Sequence, residues 1–359
     1  MVLLLWCILA SGILLLLLAP LLWFVYGPVV ARRFVEMPWF PSGLSATTAD
    51  DYPGGIFDAE EVAFAAADGV SLAGTYLPTT AAERKGVVIF CHEFRGSRWT
   101  ALEFTGGLRN DGFDIFAFDF RNHGDSAVKA GYRPLPWATT WETVDVQAAI
   151  DYCCQRNAAF SGKVVLFGLS RGAATALCVA ATEPRVRAAV LDSVVPTEEV
   201  QVYLIRRFMH LYLPRVLKPL SQLPDRPFRW LAFWANHIIR RSHGGAILGM
   251  TRAAQRVRKP LLLIHGCRDG FVPLATVCSL RRQMRIRPKV WVIPQARHNQ
   301  TAREAGDDYH RRVVRFVGRH LETQPAPALV EPEPIRADAA PTPAVPTPAG
   351  RPAAIPVAS

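Results

Sequence analysis

The sequence has few cysteines, and none of them falls in a pattern typical of metal binding. Its seven cysteines include no CxxC pair and no cluster with histidine, so no zinc site is predicted. Their odd number and apolar surroundings also argue against a disulfide framework. The chain has 359 residues, enough for two average domains or one large α/β domain. Half of them are apolar and 20% are charged, a composition that excludes global disorder.

Charged side chains are absent from residues 2–31, and the centre of this segment is rich in leucine. About 20 consecutive apolar residues cross a bilayer. Trp6 and Trp23 would stand about 25 Å apart along a helix, a spacing expected of two interfacial aromatics. No lysine or arginine precedes the run, as a signal peptide would require. We therefore predict an uncleaved single-pass anchor over 1–31, rather than a signal peptide or a buried core helix.

Two further segments of the sequence predict the membrane topology and a disordered tail. Arg32 and Arg33 follow the apolar segment directly, and positive charge marks the cytoplasmic side of a membrane span. The remaining chain is therefore predicted to be cytoplasmic, with a linker over 32–60. Residues 322–359 are rich in proline and alanine and lack aromatics, which is typical of a disordered tail.

Short apolar runs alternate with longer segments of helical spacing across the middle of the chain. The segment 61–78 predicts a hairpin around the Asp68-Gly69 turn. Strands are then predicted over 86–91, 115–120, 164–168, 188–191, 261–265 and 290–293, with helices that include 143–155 and 172–182. Buried strands alternating with helices indicate a doubly wound, mostly parallel α/β sheet. Ligands bind such sheets beyond the carboxyl ends of the strands, where we expect the chemistry.

A serine between two glycines follows the strand predicted over 164–168. The residues are Gly168-Leu169-Ser170-Arg171-Gly172, followed by a helical segment, which is the pattern of a nucleophile elbow. The two glycines are needed because the turn is sharp and larger side chains would collide with neighbouring backbone. Serine is a weak nucleophile unless a base, an orienting acid and oxyanion donors assist it. The alternative is that Ser170 only caps a helix.

The residues that could assist Ser170 follow in the order serine, acid, histidine. Asp269 follows the strand predicted over 261–265, and His298 follows the strand predicted over 290–293. Three such residues at three strand ends in this order predict a catalytic triad. Asp192, at the end of another predicted strand, remains the alternative acid.

The segment from about 62 to 321 resembles the α/β-hydrolase superfamily, nearest to its serine aminopeptidase, monoacylglycerol-lipase-like and bacterial esterase branch. The matching motifs are DGVSL, VVIFCHEFRGS, FDFRNHGDS, GLSRGA, HGCRDGFVP and ARHN. The resemblance implies that Ser170 attacks a carbonyl, that His298 is general base and then acid, and that Asp269 fixes the histidine tautomer. It implies a hydrolase domain over 61–321 and neither a metal nor a cofactor.

The resemblance also implies an oxyanion hole made of two backbone N–H groups, those of Phe94 and Arg171. The Arg171 guanidinium is expected to add attraction for an acidic group. Glu93 departs from the pattern, because it replaces the usual glycine. A carboxylate there would slow the reaction unless it points away or pairs with Arg95 or Arg98.

Other polar residues in these motifs are expected to be structural. Asn122 replaces a second glycine, a mild exchange because asparagine tolerates a left-handed conformation. His92, His123 and His265 are expected to hold loops by hydrogen bonds.

Basic residues are concentrated between residues 197 and 259, where 12 lysines and arginines stand against three acidic residues, a net charge of +9. The sheet is not expected to need this segment, and the hydrolase fold would place a cap here. Basic and bulky apolar side chains at helical spacing suit a helix in an anionic lipid interface. The alternative is an ordinary cap with solvated arginines. No recognised motif accompanies the charge, so nucleic acid is not an expected partner.

The combined expectation is a membrane-anchored serine hydrolase that cleaves an acyl ester, lipid ester, thioester or amide of a small acyl or lipid substrate. A peptidase is less favoured. An acyltransferase with the same triad is one alternative. A catalytically inactive scaffold that binds a lipid or protein partner is another, and Glu93 is the feature that favours it.

Overall fold

A computed structural model of the chain describes Arg32 and residues 59–208 and 222–322. The predicted anchor over 1–31, nearly all of the predicted linker, and the tail after Glu322 lie outside the described residues. Within these described ranges, no helix combines the length and the apolar character that crossing a bilayer requires.

One sheet forms the centre of the fold. Its strands are β1 Glu60–Ala65, β2 Ser71–Leu77, β3 Gly86–Cys91, β4 Phe113–Phe118, β5 Val164–Leu169, β6 Val186–Asp192, β7 Leu261–Gly266 and β8 Val290–Ile293. They are arranged in the order β1-β2-β4-β3-β5-β6-β7-β8. The β1–β2 and β2–β4 pairs are antiparallel, and the other pairs are parallel. The predicted hairpin and the mostly parallel sheet are confirmed.

Burial on both faces of the sheet explains the continuous apolar runs of its central strands. Every residue of β3, β4 and β5 is buried. In β3, Val87, Ile89 and Cys91 join the core on one face, and Val88 and Phe90 join the core on the other. The edge strand β8 is only partly buried, although its apolar sequence predicts a buried strand.

Helices cover both faces of the sheet. They are α1 Ala101–Arg109, α2 Thr140–Arg156, α3 Arg171–Ala180, α4 Thr197–Phe208, α5 Asp225–Ser242, α6 Met250–Arg256, α7 Leu274–Gln283, α8 Thr301–Ala305 and α9 Asp307–Glu322. Helices α1 and α9 pack together on one face, and α2 and α3 pack on the other. Thr139 and Glu142 form a capping box, which is why α2 begins three residues before the predicted start.

The basic segment over 197–259 divides into two parts. Helices α4 and α5 pack against each other between β6 and β7, whereas α6 packs against α3 and α7. Because β6 and β7 are parallel neighbours, the chain needs a crossover between them, and α6 belongs to it. The expectation that the sheet does not need this segment is therefore wrong for α6.

The sheet has a topological switch at β3. This strand lies between β4 and β5, so the chain leaves β3 toward one side of the sheet and later returns on the other. Such a reversal opens a crevice at the carboxyl ends of the two diverging strands. The loop after β3 and the turn after β5 both lie at this edge.

Candidate active site

Ser170 stands between β5 and α3 with a backbone conformation that L-residues rarely adopt. Its φ is 54° and its ψ is −113°, and its N–H donates to the carbonyl oxygen of Asp192 at 2.9 Å. A Cβ at Gly172 would lie 2.0 Å from the carbonyl oxygen of Cys91, and one at Gly168 would lie 2.4 Å from the α3 backbone. Both positions therefore require glycine, and the sharp turn leaves the serine hydroxyl at the carboxyl edge of the sheet.

The structure brings together the three residues that stand at separate strand ends in the sequence. Ser170 Oγ lies 2.8 Å from His298 Nε2, and His298 Nδ1 lies 2.6 Å from Asp269 Oδ2. Asp269 Oδ1 accepts hydrogen bonds from the backbone N–H groups of Phe271 and Val272, at 2.9 and 2.7 Å. The carboxylate is thus fixed on one side by the backbone and on the other by the imidazole.

The charge state of Asp269 follows from these contacts. Burial alone would raise the pKa of Asp269, but the charge and hydrogen bond of His298, together with the Val272 N–H, hold that pKa below its usual value. Asp269 is therefore a carboxylate at neutral pH, and His298 Nδ1 donates its proton to it. This tautomer leaves Nε2 to accept the proton of the Ser170 hydroxyl, as a general base must.

Asp192, the alternative acid, makes other bonds. Its carboxyl group accepts hydrogen bonds from three hydroxyl groups, those of Ser193, Thr301 and Tyr309. Both ring nitrogens of His298 are already bonded to Ser170 and Asp269. Burial raises the pKa of Asp192 to about 6. Asp192 therefore joins β6 to α8 and α9.

Comparison with known families agrees with this geometry. Residues 86–228 match the family model described as the alpha/beta hydrolase fold, a range that includes the loop after β3 and the turn around Ser170. The match and the mostly parallel sheet show the alpha/beta hydrolase fold. Asp269 and His298 lie beyond the matched range, so their assignment to the candidate site rests on the contacts given above.

Several known proteins are similar to this chain over most of its length. The uncharacterized protein YfhR of Escherichia coli O157:H7 is 26% identical over 279 residues, which cover 75% of this chain and 84% of YfhR. The esterase Pf2001 of Pyrococcus furiosus matches with a TM-score of 0.57 and 23% identity, over 78% of this chain and 96% of that one. An esterase of Exiguobacterium antarcticum matches with a TM-score of 0.51 and 15% identity, over 72% and 99%. These structural similarities show the fold, and the branch within the superfamily stays a prediction.

The two predicted oxyanion donors stand on neighbouring loops. Arg171 is the first residue of α3, where a backbone N–H has no acceptor within the helix. Phe94 follows β3 in a turn that is closed by a hydrogen bond from the Gly96 N–H to the Glu93 carbonyl oxygen at 3.2 Å. Both predicted donors therefore follow strands that diverge at the switch point, and the Phe94 ring lies 5.5 Å from the Arg171 guanidinium carbon.

Glu93 is buried in this turn and forms no ion pair with any residue that the structure describes. Its Oε1 accepts a hydrogen bond from the Thr100 hydroxyl at 3.3 Å, and its Oε2 has no hydrogen-bond partner in the described part of the chain. Of the two conditions under which Glu93 would be harmless, pairing with Arg95 or Arg98 is not met. Arg95 lies over the Phe94 ring, and Arg98 binds three other carboxylates, those of Glu61, Asp119 and Asp125.

The environment of Glu93 favours its protonated form. Burial raises the pKa of Glu93 to about 7, although Thr100, Arg171 and His298 act in the opposite direction. A Cβ at Gly96 would lie 2.3 Å from the Glu93 carboxyl carbon, so the glycine makes room for this side chain. A carboxyl group that is neutral for much of the time disturbs an oxyanion less than a permanent carboxylate does.

The Arg171 guanidinium is fully buried, and the acidic group beside it is Glu142 of the protein itself. Its Nη1 lies 3.6 Å from Glu142 Oε1 and donates to the Leu135 carbonyl oxygen at 3.3 Å, and its Nη2 donates to His123 Nε2 at 3.2 Å. Sequence reasoning missed Glu142. The Thr139-x-x-Glu142 capping box could have placed it in the first turn of a helix, but not beside Arg171.

The three histidines expected to be structural each donate to a backbone carbonyl group. His92 Nδ1 donates to Glu93 at 2.6 Å, His123 Nδ1 to Arg121 at 2.9 Å and His265 Nε2 to Val272 at 2.9 Å. Burial lowers the pKa of all three, so they are neutral near pH 7. Asn122 has a φ of 60°, the left-handed conformation expected for it. Its side chain bonds the backbone of Lys129 and Tyr132.

Helix α4 of the basic segment contacts the loop that carries Asp269. On α4, Arg207 Nη1 donates to the Gly270 carbonyl oxygen at 2.9 Å. The next residue, Phe271, packs its ring edge-on to His298 with centroids 5.2 Å apart.

Across the described ranges, no three His, Cys, Asp or Glu side chains are grouped as a metal site requires.

Proposed function

We propose that this chain is a serine hydrolase that cleaves carboxylic esters through an acyl-enzyme on Ser170. The observation that carries the proposal is the continuous series of hydrogen bonds from Ser170 Oγ to His298, at 2.8 Å, and from His298 to Asp269, at 2.6 Å. The esterases among the similar structures support an ester as the bond that is cleaved.

In the proposed reaction, His298 Nε2 takes the proton of the Ser170 hydroxyl while Oγ bonds to the carbonyl carbon of the ester. The carbonyl electrons move onto oxygen, and the backbone N–H groups of Phe94 and Arg171 would stabilise this oxyanion. Its collapse breaks the bond to the alcohol, which leaves with the proton from His298. Water then attacks the acyl-enzyme by the same route, releasing the carboxylic acid and restoring Ser170.

Ester turnover tests this proposal. We expect the full chain in detergent micelles to hydrolyse p-nitrophenyl esters, and Ser170→Ala to lower kcat at least about 10³-fold. Ser193→Ala is the matched control, because Ser193 directly follows the neighbouring strand β6, has a φ of 51° and bonds Asp192 rather than His298. It should keep at least about a tenth of the activity, since it lies outside the proposed proton path.

The same assay separates the alternatives. A series of acyl chains from acetyl to palmitoyl would give the chain-length preference. Turnover that requires an added alcohol or amine acceptor would indicate an acyltransferase. A complete absence of turnover over the series would favour a scaffold that binds a lipid or protein partner.

We further propose that residues 1–31 anchor this hydrolase in a membrane, with its catalytic domain on the cytoplasmic side. The support is the uncharged apolar segment followed by Arg32 and Arg33. On α5 of the basic segment, Phe233 is 63% exposed, and Arg229 and Arg240 are exposed as well, which suits contact with an anionic lipid surface.

Fractionation and protease protection test the membrane proposal. The full chain should stay in the membrane fraction after alkaline carbonate extraction. A reporter at its C-terminus should resist protease in intact cells and be digested after permeabilisation. Release by carbonate, or digestion in intact cells, would contradict the anchor or its orientation.

A further inference from the structure

The side chain of Arg171 lies inside a closed group of aromatic and polar groups next to the proposed nucleophile. Its guanidinium carbon lies 5.5 Å from the ring centroid of Phe94 and 5.2 Å from that of Phe120. In the plane of the guanidinium, Nη2 donates to His123 Nε2 and Nη1 to the Leu135 carbonyl oxygen. The side chain is fully buried, so its contacts are with the protein itself.

These contacts join three loops whose relative positions the proposed site depends on. Phe94 belongs to the loop after β3, Phe120 and His123 belong to the loop after β4, and Arg171 begins α3. His92 links two of these loops directly, because its Nε2 accepts the Phe120 N–H at 3.0 Å. A guanidinium is planar and delocalised, so it stacks on rings with its faces while its N–H groups donate at its edge.

A buried cation of this kind needs a counter-charge, and Glu142 supplies it. The Glu142 carboxylate lies 3.6 Å from Arg171 Nη1, and both side chains are fully buried. The same carboxylate accepts hydrogen bonds from the Thr139 N–H at 2.8 Å, from the Thr139 hydroxyl at 2.6 Å and from the Tyr132 hydroxyl. Any residue except proline at position 171 would provide a backbone N–H at the start of α3. The arginine side chain therefore has a task of its own.

We propose that the Arg171 side chain is a positioning residue for the oxyanion hole. This inference rests on the proposed function and deepens it. The backbone N–H of Arg171 is one proposed donor, and its guanidinium holds the ring of Phe94, whose backbone N–H is the other. One residue thereby fixes the two donors relative to each other. A donor displaced by about 1 Å loses much of a hydrogen bond that strengthens only in the transition state.

Arg171→Lys tests this role, because lysine keeps a positive charge near Glu142 but lacks the plane that stacks on Phe94. We expect kcat for ester hydrolysis to fall about 10- to 100-fold, with KM changed less than about threefold. A trifluoromethyl ketone, which forms a tetrahedral adduct with a serine, should lose affinity by the same factor as kcat/KM. A merely structural role would not make these two losses equal.

Arg121→Lys is the matched control. Arg121 is also fully buried and bonded to two carboxylates, those of Asp68 and Asp145, but it stacks on Trp141 rather than on Phe94. Arg121→Lys should lower the melting temperature about as much as Arg171→Lys does, while its kcat changes less than about threefold. If Arg171→Lys fails to fold, the double variant Arg171→Met/Glu142→Gln removes both buried charges and should show the same loss of kcat.

The outcomes separate the positioning role from the proposed function. An unchanged kcat in a folded Arg171 variant would overturn the positioning role and leave the serine hydrolase intact. A loss of kcat shared equally by Arg121→Lys would overturn it as well. An unmodified chain without ester turnover would refute the proposed function, and the positioning role with it.

Discussion

His298 Nδ1 lies 2.6 Å from Asp269 Oδ2, and this bond leaves Nε2 to face the Ser170 hydroxyl. A second aspartate, Asp192, ends the neighbouring strand and bonds three hydroxyl groups instead. Two carboxyl groups at adjacent strand ends therefore have different partners, and substitution of each should have a different effect.

Asp269→Asn should lower kcat for ester hydrolysis about 10³- to 10⁴-fold, because an amide no longer favours the tautomer in which His298 Nε2 accepts a proton. Asp192→Asn should keep kcat within about tenfold. It should instead lower the free energy of unfolding by about 1–3 kcal/mol, because its buried hydroxyl partners lose an acceptor. Ester kinetics and urea unfolding of both variants measure the contrast. The opposite pattern would make Asp192 the orienting acid.

Glu93 should give the activity an alkaline decline that begins near pH 7. Its pKa is raised to about 7 by burial, and it adjoins Phe94, a proposed oxyanion donor. The charged or titratable groups that face it are Arg171 and His298. Ionisation above pH 7 places negative charge near the developing oxyanion, so kcat/KM should fall severalfold by pH 9. Glu93→Gln should remove this decline and leave the acidic limb unchanged, and a decline of equal size in both proteins would argue against Glu93.

The Glu93 carboxyl group should also make the folded state less stable as the pH rises. Glu93 has a pKa of about 7 in the folded protein and 4.5 as its ordinary value, so the folded state binds this proton more tightly. Its contribution to stability is fully present below pH 4.5 and is lost as the pH rises through 7. Each unit of difference in pKa corresponds to about 1.4 kcal/mol. At pH 8, the free energy of unfolding of Glu93→Gln should therefore exceed that of the unmodified protein by up to about 3 kcal/mol. Urea unfolding at pH 4.5 and pH 8 checks the sign.

Gly172→Ala should abolish the turn that presents Ser170. The added Cβ would lie 2.0 Å from the Cys91 carbonyl oxygen, and backbone atoms cannot shift cheaply. We expect loss of turnover together with a lower melting temperature. Gly106→Ala is the control, because a Cβ at this exposed position in α1 meets no atom within 4 Å. It should keep full turnover and gain about 0.5–1 kcal/mol of stability from the helix preference of alanine.

The sequence predicts the sheet well because strands buried on both faces are continuous apolar runs. It predicts the bounds of β3 and β8 to the residue, but β4 begins at Phe113, two residues before the predicted start. Asp114 interrupts the apolar run and is nevertheless fully buried. Its carboxylate is satisfied by the Tyr76 hydroxyl, the Thr79 N–H and Arg84, which come from other segments of the chain. Such partners are not visible in a local pattern.

In the candidate site as well, local sequence patterns predict some features, whereas contacts between distant segments are not predictable from them. Ser170 carries a local signature in its two flanking glycines, and the parallel topology brings the strand ends of Asp269 and His298 to the same edge. The partners of buried charges depend instead on contacts between distant segments. Arg171 and Glu142 are separated by 29 positions, and an acidic residue in the first turn of a helix is ordinary at an exposed surface.

Active-site labelling tests the central claim, that Ser170 Oγ is the nucleophile, most directly. The full chain and Ser170→Ala are treated with a fluorophosphonate probe, and the modified peptide is identified by mass spectrometry. We predict one probe per chain on Ser170, no labelling of Ser170→Ala, and slow labelling of Asp269→Asn. Equal labelling of the unmodified chain and Ser170→Ala, or a probe attached to a different residue, would contradict the claim.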